Sequence, residues 1–192
     1  MIFLSASVPV LGRKYYDTSN PTAITSAVVA FAKVCAEYEL EVYFGGHPSI
    51  TPLLLRAGIE INPKFGELVH IYQSREFDGM TPIELSEYAN LHKTNKQANR
   101  DESLEYMRDM MISVNKTDCA VFIGGMEGIL LEADLIEKYH PEAKILPIGA
   151  GGGASYTLLE RYHIDDPVLA DSMAFIDVFR KYLKEFEVLN HV

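Results

Sequence analysis

Tryptophan is absent from this chain of 192 residues, and cysteine occurs only twice, at Cys35 and Cys119. Two cysteines in separate apolar segments make neither a disulfide framework nor a zinc-ligand spacing, and both are expected to be buried free thiols. Basic residues are scarce as well: 17 lysines and arginines face 27 aspartates and glutamates, a formal charge of −10. A protein that tracks a phosphate backbone needs a broad basic surface, so nucleic acid is not an expected partner. A small local anion pocket remains compatible with that charge. No apolar run approaches the roughly 20 residues that span a bilayer. The opening MIFLSASVP has no basic flank and reads as a first strand, not a secretory leader. These absences point to a cytoplasmic protein without membrane contact. The length fits one domain over residues 1–192, large enough to bury a substantial core.

What the sequence does have is glycine at the ends of strands. In Asp118–Asp134, DCAVFIGGMEGILLEAD, the apolar run Cys119–Ile123 has the length of a buried strand. Gly124, Gly125 and Gly128 follow, and Ile129–Ile136 resumes at helical spacing. A strand, a glycine turn and a helix start bring backbone N–H groups and the positive end of a helix dipole to one point, where an anion can bind. The same glycines also serve a tight turn that needs positive φ. Glu127 and Glu132, in or near this turn, can accept ribose hydroxyl hydrogens.

The remaining elements follow in order. Ile2–Ala6 is a strand ending in Ser5-Ala6-Ser7. Asn20-Pro21 opens a helix as N-cap and first residue. Glu41–Phe44 is a strand leading into Gly45-Gly46-His47, followed by a helix over Ile50–Ala57 that Gly58 is expected to end. Leu68–Tyr72 is a third strand and Gln73–Gly79 a polar loop. Thr81 and Glu84 form a capping-box pattern for a helix around Pro82–Ala89. His92–Asp101 is locally basic and reads as a solvated helix or a lid. Ser103–Val114 is helical by pattern. Lys144–Ile148 is a fifth strand, ending in Gly149–Gly153 before a helix from about Ser155. Asp171 is expected to cap a last helix with the apolar stripe Phe175, Phe179, Tyr182, Leu183 and Phe186, which is expected to cover the sheet.

Strands alternating with helices predict an α/β, Rossmann-like doubly wound parallel sheet with helices on both faces. Ligands of such sheets bind beyond the carboxyl ends of the strands. The candidate contacts are therefore Ser5, Ser7 and Arg13 after the first strand, and Gly45, Gly46 and His47 after the second. Gly124, Gly125, Glu127, Gly128 and Glu132 follow the fourth strand, and Gly151 and Gly152 the fifth. Arg75, Arg100 and Arg108 are the arginines that can reach an anion, with Lys116 as a further cation. Tyr15, Tyr16 and Tyr156 can stack on a base. The first strand lacks G-x-G-x-x-G and the Walker pattern is missing, so neither an NAD dehydrogenase nor a P-loop enzyme is expected. No cofactor and no metal is called for.

Two segments carry a resemblance. Arg108 and Met111 precede the strand Cys119–Ile123, and IGGMEGILLE follows. The chain resembles the SLOG superfamily, which groups cytokinin-activating LOG phosphoribohydrolases with DNA-processing proteins and nucleotide sensors. LOG enzymes have Arg-x-x-Met, a strand, then P-G-G-x-G-T-x-x-E. Gly124, Gly125 and Glu132 match that motif if one residue is inserted before Gly128, while Ile123 and Ile129 replace its proline and threonine. FLSASVP and FGGHPSITP look closest to prokaryotic SLOG modules associated with TIR or Sir2 effectors. The resemblance implies a sensor or sequestering module for a nucleotide-derived small molecule such as a cyclic ADP-ribose-type signal in anti-phage defence. It also implies a homo-oligomer and a possible effector partner. Its alternative is a phosphoribohydrolase that cleaves the N-glycosidic bond of a nucleoside monophosphate, with Arg108 and Glu132 catalytic.

Overall fold

Side chains along a strand alternate between the two faces of a sheet. In β1 (Ile2–Ser7) both faces are apolar, with Ile2 and Leu4 entering one core and Phe3 the other. β1 is thus a central strand. The computed structural model, which describes residues 1–78 and 90–187, places it between β2 (Val42–Phe44) and β5 (Cys119–Gly124). Outside these lie β3 (Val69–Ser74), β4 (Asn90–Thr94) and β6 (Lys144–Ile148). The six strands are all parallel, in the order β4-β3-β2-β1-β5-β6. The order reverses between β1 and β5, which makes their carboxyl ends the switch point of the sheet.

Helices cover both faces, as the doubly wound reading requires. The described residues include α1 (Pro21–Glu37), α2 (Thr51–Ile59), α3 (Arg100–Val114), α4 (Glu127–Tyr139), α5 (Ala154–Arg161), α6 (Pro167–Asp171) and α7 (Phe175–Glu187). α1, α2 and α7 supply the core that contains Leu4, Phe44 and Ile123. Met107 and Met111 of α3 and Ile129 and Ala133 of α4 build the other, around Phe3, Tyr43 and Phe122. Asn20 caps α1 as expected, its side chain accepting the Ala23 N–H at 3.1 Å. The Phe175–Phe186 stripe covers the first face: Phe179 meets Phe31 of α1 edge-on, with ring centroids 5.5 Å apart. Such a pair contributes about 0.5–1.5 kcal/mol beyond its buried area. Both cysteines are free and buried, and burial pushes the Cys119 thiol up to about 12.

Four expectations change. His92–Asp101 is not one helix: His92–Thr94 closes the edge strand β4, and Arg100 and Asp101 begin α3. The polar loop begins later than expected, because Gln73 and Ser74 still belong to β3. Gly58 does not end α2 but lies inside its last turn, where a Cβ would stand 2.0 Å from the ring of Phe65. Asp171 closes α6 and does not cap the last helix, which starts at Phe175. The helix expected around Pro82–Ala89 lies outside the described residues. Among those residues no helix is long and apolar enough to cross a membrane.

Candidate functional site

Three strand ends and three helix starts surround a cleft of about 480 Å³, within the size range of small-molecule sites. β1 contributes Ser5, Ala6 and Ser7, β2 leads into Gly45, Gly46 and His47, and β3 contributes Gln73. The first two turns of α3 form one wall. Their position is fixed by Asn99, whose side-chain oxygen accepts the Glu102 N–H at 2.9 Å while its amide donates to the Glu102 carboxylate at 2.6 Å. The first turns of α4 form the other wall.

Glu132 lies at the base of this cleft, with its side chain only 14% exposed. One carboxylate oxygen accepts the Arg108 Nε–H at 3.1 Å, and the other accepts the Ser5 hydroxyl. The guanidinium is therefore gripped through Nε. Its two terminal nitrogens have no protein acceptor among the described residues, and Arg108 lines the cleft. A guanidinium oriented in this way can take a phosphate or carboxylate in two-pronged fashion. Gly128 makes room for it, since a Cβ there would stand 2.9 Å from Arg108 Nη2.

The β2 side is built for close approach. Gly46 has φ +61°, and a Cβ on it would press to 2.6 Å on Ile71 Cγ2. The turn presents His47, whose Nδ1 accepts the Ser49 N–H at 3.3 Å and lies 2.8 Å from the Ser49 hydroxyl. That bond leaves the hydrogen on Nε2. Burial holds the His47 pKa below its ordinary value, so the ring is neutral at pH 7.

The β5 and β6 side is closed. The Gly124 N–H donates to the Ser155 hydroxyl at 3.0 Å, and the Gly125 N–H to the Ser7 carbonyl at 2.8 Å. Ser155 is fully buried and passes its own hydrogen to the Ile148 carbonyl at 2.8 Å. The amides expected to cradle an anion are thus engaged within the protein. Gly152 packs as tightly: at φ +66° a Cβ would reach 1.9 Å from the Thr18 carbonyl oxygen, while the Gly151 carbonyl accepts the Asn20 N–H at 2.9 Å. These glycines join the α1, α4 and α5 starts into one knot.

Of the sequence-stated candidates, Ser5, Ser7, Arg13, Gly45, Gly46, His47, Arg100, Arg108, Gly128 and Glu132 meet around the cleft. Gly124, Gly125, Gly151 and Gly152 stand outside its lining, in the knot. Glu127 stands at the rim, 3.5 Å from Arg13, and its carboxyl is held below the usual range by its own backbone N–H and by Arg13. Arg75 lies 3.9 Å from Asp78, and Lys116 pairs with Asp118 at 3.3 Å near the amino ends of the strands. Tyr15, Tyr16 and Tyr156 do not line the cleft. Sequence reasoning missed Gln73, Phe77, Asp101 and Met107 in its lining. Met107 was visible only as one apolar helix position, and the others sat in segments read as solvated.

The fold recurs in solved structures. DNA processing protein A from Helicobacter pylori, whose structure was described for its single-stranded DNA binding mode, superposes with a TM-score of 0.63 at 13% identity. The match covers 96% of this chain and 80% of that one. The X-ray structure of the structural-genomics target TM1055 superposes with a TM-score of 0.58 at 14% identity, covering 83% of this chain and 79% of that one. No curated protein matches the sequence. The sequence pattern of the SLOG cluster3 family matches residues 14–183, a span that takes in all the strand ends of the cleft except the Ser5–Ser7 end of β1. The chain therefore belongs to the SLOG cluster3 family.

Proposed function

We propose that residues 1–192 act as one module that binds a nucleotide-derived small molecule in the cleft between α3 and α4. The observation that supports this most is the Ser5–Glu132–Arg108 cluster: a partly buried carboxylate holds the arginine by one edge and leaves the other edge free at the switch point of the sheet. An anionic group of the ligand meets that free edge. Ser7 and the neutral His47 supply uncharged partners for sugar hydroxyls. The finer reading takes the ligand as a cyclic ADP-ribose-type signal in anti-phage defence, sensed or sequestered by a homo-oligomer that is coupled to an effector. It draws on the likeness of FLSASVP and FGGHPSITP to effector-associated SLOG modules.

Isothermal titration with cyclic ADP-ribose, ADP-ribose, AMP and a short single-stranded DNA tests the reading. Binding of a small nucleotide that is lost in Arg108→Ala supports it. The absence of heat with all the small nucleotides, together with an unchanged Tm, overturns it. DNA belongs in the panel because a protein of this fold is described as binding it, although a charge of −10 opposes backbone binding.

A second reading has its own observation: Glu132 and Arg108 share the cleft, as a phosphoribohydrolase needs. There Arg108 holds the substrate and Glu132 stabilises positive charge at the anomeric carbon as the N-glycosidic bond breaks. Chromatography of nucleoside monophosphates after long incubation separates the two readings. Release of free base that disappears in Glu132→Ala selects the enzyme.

A further inference from the structure

We propose that the β3 end of the cleft is a nucleobase subsite in which the Gln73 side chain reads the edge of the base; the inference rests on the nucleotide-site reading above. Gln73 is only 7% exposed, yet it lines the cleft, and its amide has no hydrogen-bond partner among the described residues. The amide is not sealed away from the cleft, so a ligand entering there can take up both its donor and its acceptor. Its surroundings fit a flat heterocycle. Phe77 lies at the same end with the Arg100 guanidinium 5.6 Å from its ring centre, while Pro48 and Pro52 add apolar surface from the start of α2.

The chemistry of the amide narrows the class of base. A glutamine offers an acceptor beside a donor, and its complement is a heterocycle with a donor beside an acceptor, such as the amino group and adjacent ring nitrogen of adenine. At this end the charges of Arg100 and Asp101 offset each other, whereas Arg108 offers a phosphate the free edge of its guanidinium at the other. The ligand therefore lies with its phosphate over α4 and its base over β3.

Competition binding with AMP, purine riboside 5′-monophosphate and ribose 5-phosphate tests this. The second probe lacks the amino group, and the third lacks the base. The wild-type protein is expected to prefer AMP over purine riboside monophosphate by roughly tenfold. Gln73→Leu abolishes that gap and leaves ribose 5-phosphate affinity unchanged, which also reports an intact fold. Gln73→Glu keeps the acceptor for the amino group but loses the donor to the ring nitrogen, so both purine nucleotides weaken while the gap remains. Phe77→Ala weakens both purine nucleotides and spares ribose 5-phosphate. If the wild type binds ribose 5-phosphate without preferring AMP, or if the gap survives in Gln73→Leu, the base subsite falls and the nucleotide site stands. Loss of ribose 5-phosphate binding in both Gln73 variants overturns the assignment of Gln73 to the base alone. If the wild type binds none of the three, the base subsite falls, and the nucleotide site falls with it only when cyclic ADP-ribose and ADP-ribose fail as well.

Discussion

Two glycine pairs follow two parallel strands of this sheet, and they do opposite things. Gly45-Gly46 after β2 lines an open cleft, while Gly124-Gly125 at the end of β5 is shut by bonds from within the protein. Both pairs use positive φ, at Gly46, Gly124 and Gly125, so local conformation does not separate them. The difference lies in what approaches from elsewhere in the chain. Ser155 and the Ser7 carbonyl arrive at the second pair and consume its donors, and among the described residues no side chain or loop carbonyl is seen to do the same at the first. A glycine turn is thus a permit for close approach, and tertiary context decides whether a ligand or the protein itself uses it.

The contrast can be broken by substitution, and the largest effect belongs to the closed half. Gly152→Ala sets a Cβ against backbone at a positive φ. Strain and overpacking together are expected to destabilise by about 3 kcal/mol or more, visible as a lower urea midpoint. On the open half, Arg108→Ala is expected to weaken nucleotide binding roughly ten- to hundredfold, since bonds to charged groups are worth about 1.5–3 kcal/mol; titration calorimetry reads this. Ser155→Ala leaves the buried Gly124 N–H unpaired and is expected to cost about 1–3 kcal/mol of stability while leaving ligand affinity unchanged. Should it abolish binding instead, the closed half is part of the site and the contrast fails.

The smallest effect comes from pH. Burial lowers the folded-state pKa of His47 and of His70, which also lies 3.0 Å from a ring nitrogen of His92. The unfolded chain then binds these protons first, near the ordinary histidine value of about 6.5. Stability is therefore fully present above that pH and declines as pH falls below it. Urea midpoints at pH 7.5 and 5.5 are expected to show the loss, and His47→Gln and His70→Gln each narrow it. An unchanged difference in both variants refutes the assignment.

Much of the fold was legible in the sequence because its central strands are continuous apolar runs flanked by helical stripes. β4 was not, because Asn90–Thr94 lies at the sheet edge and is mostly polar, with Leu91 as its one apolar side chain. An edge strand needs no apolar run, and its register comes from pairing with β3. Gly58 misled for a related reason: the glycine answers the Phe65 ring packed against it, which no local pattern reveals. In the site, Arg108 was picked out by the resemblance of its segment to the LOG Arg-x-x-Met pattern and Glu132 by its place after the glycine turn, and both line the cleft. Gln73 was not, because only the folded neighbourhood shows that its amide stands at a cleft wall without a protein partner among the described residues.

Ile24 at the start of α1 lies where a Cβ on either Gly124 or Gly151 would meet its side chain, so one residue wedges the β5 and β6 loops together. Amide hydrogens at Gly124 and Gly125 can then swap with deuterated solvent only when that wedge lifts, an event close to global opening. Under mass-spectrometric labelling this corner is expected to remain dark long after the rim around Arg13 has taken up deuterium.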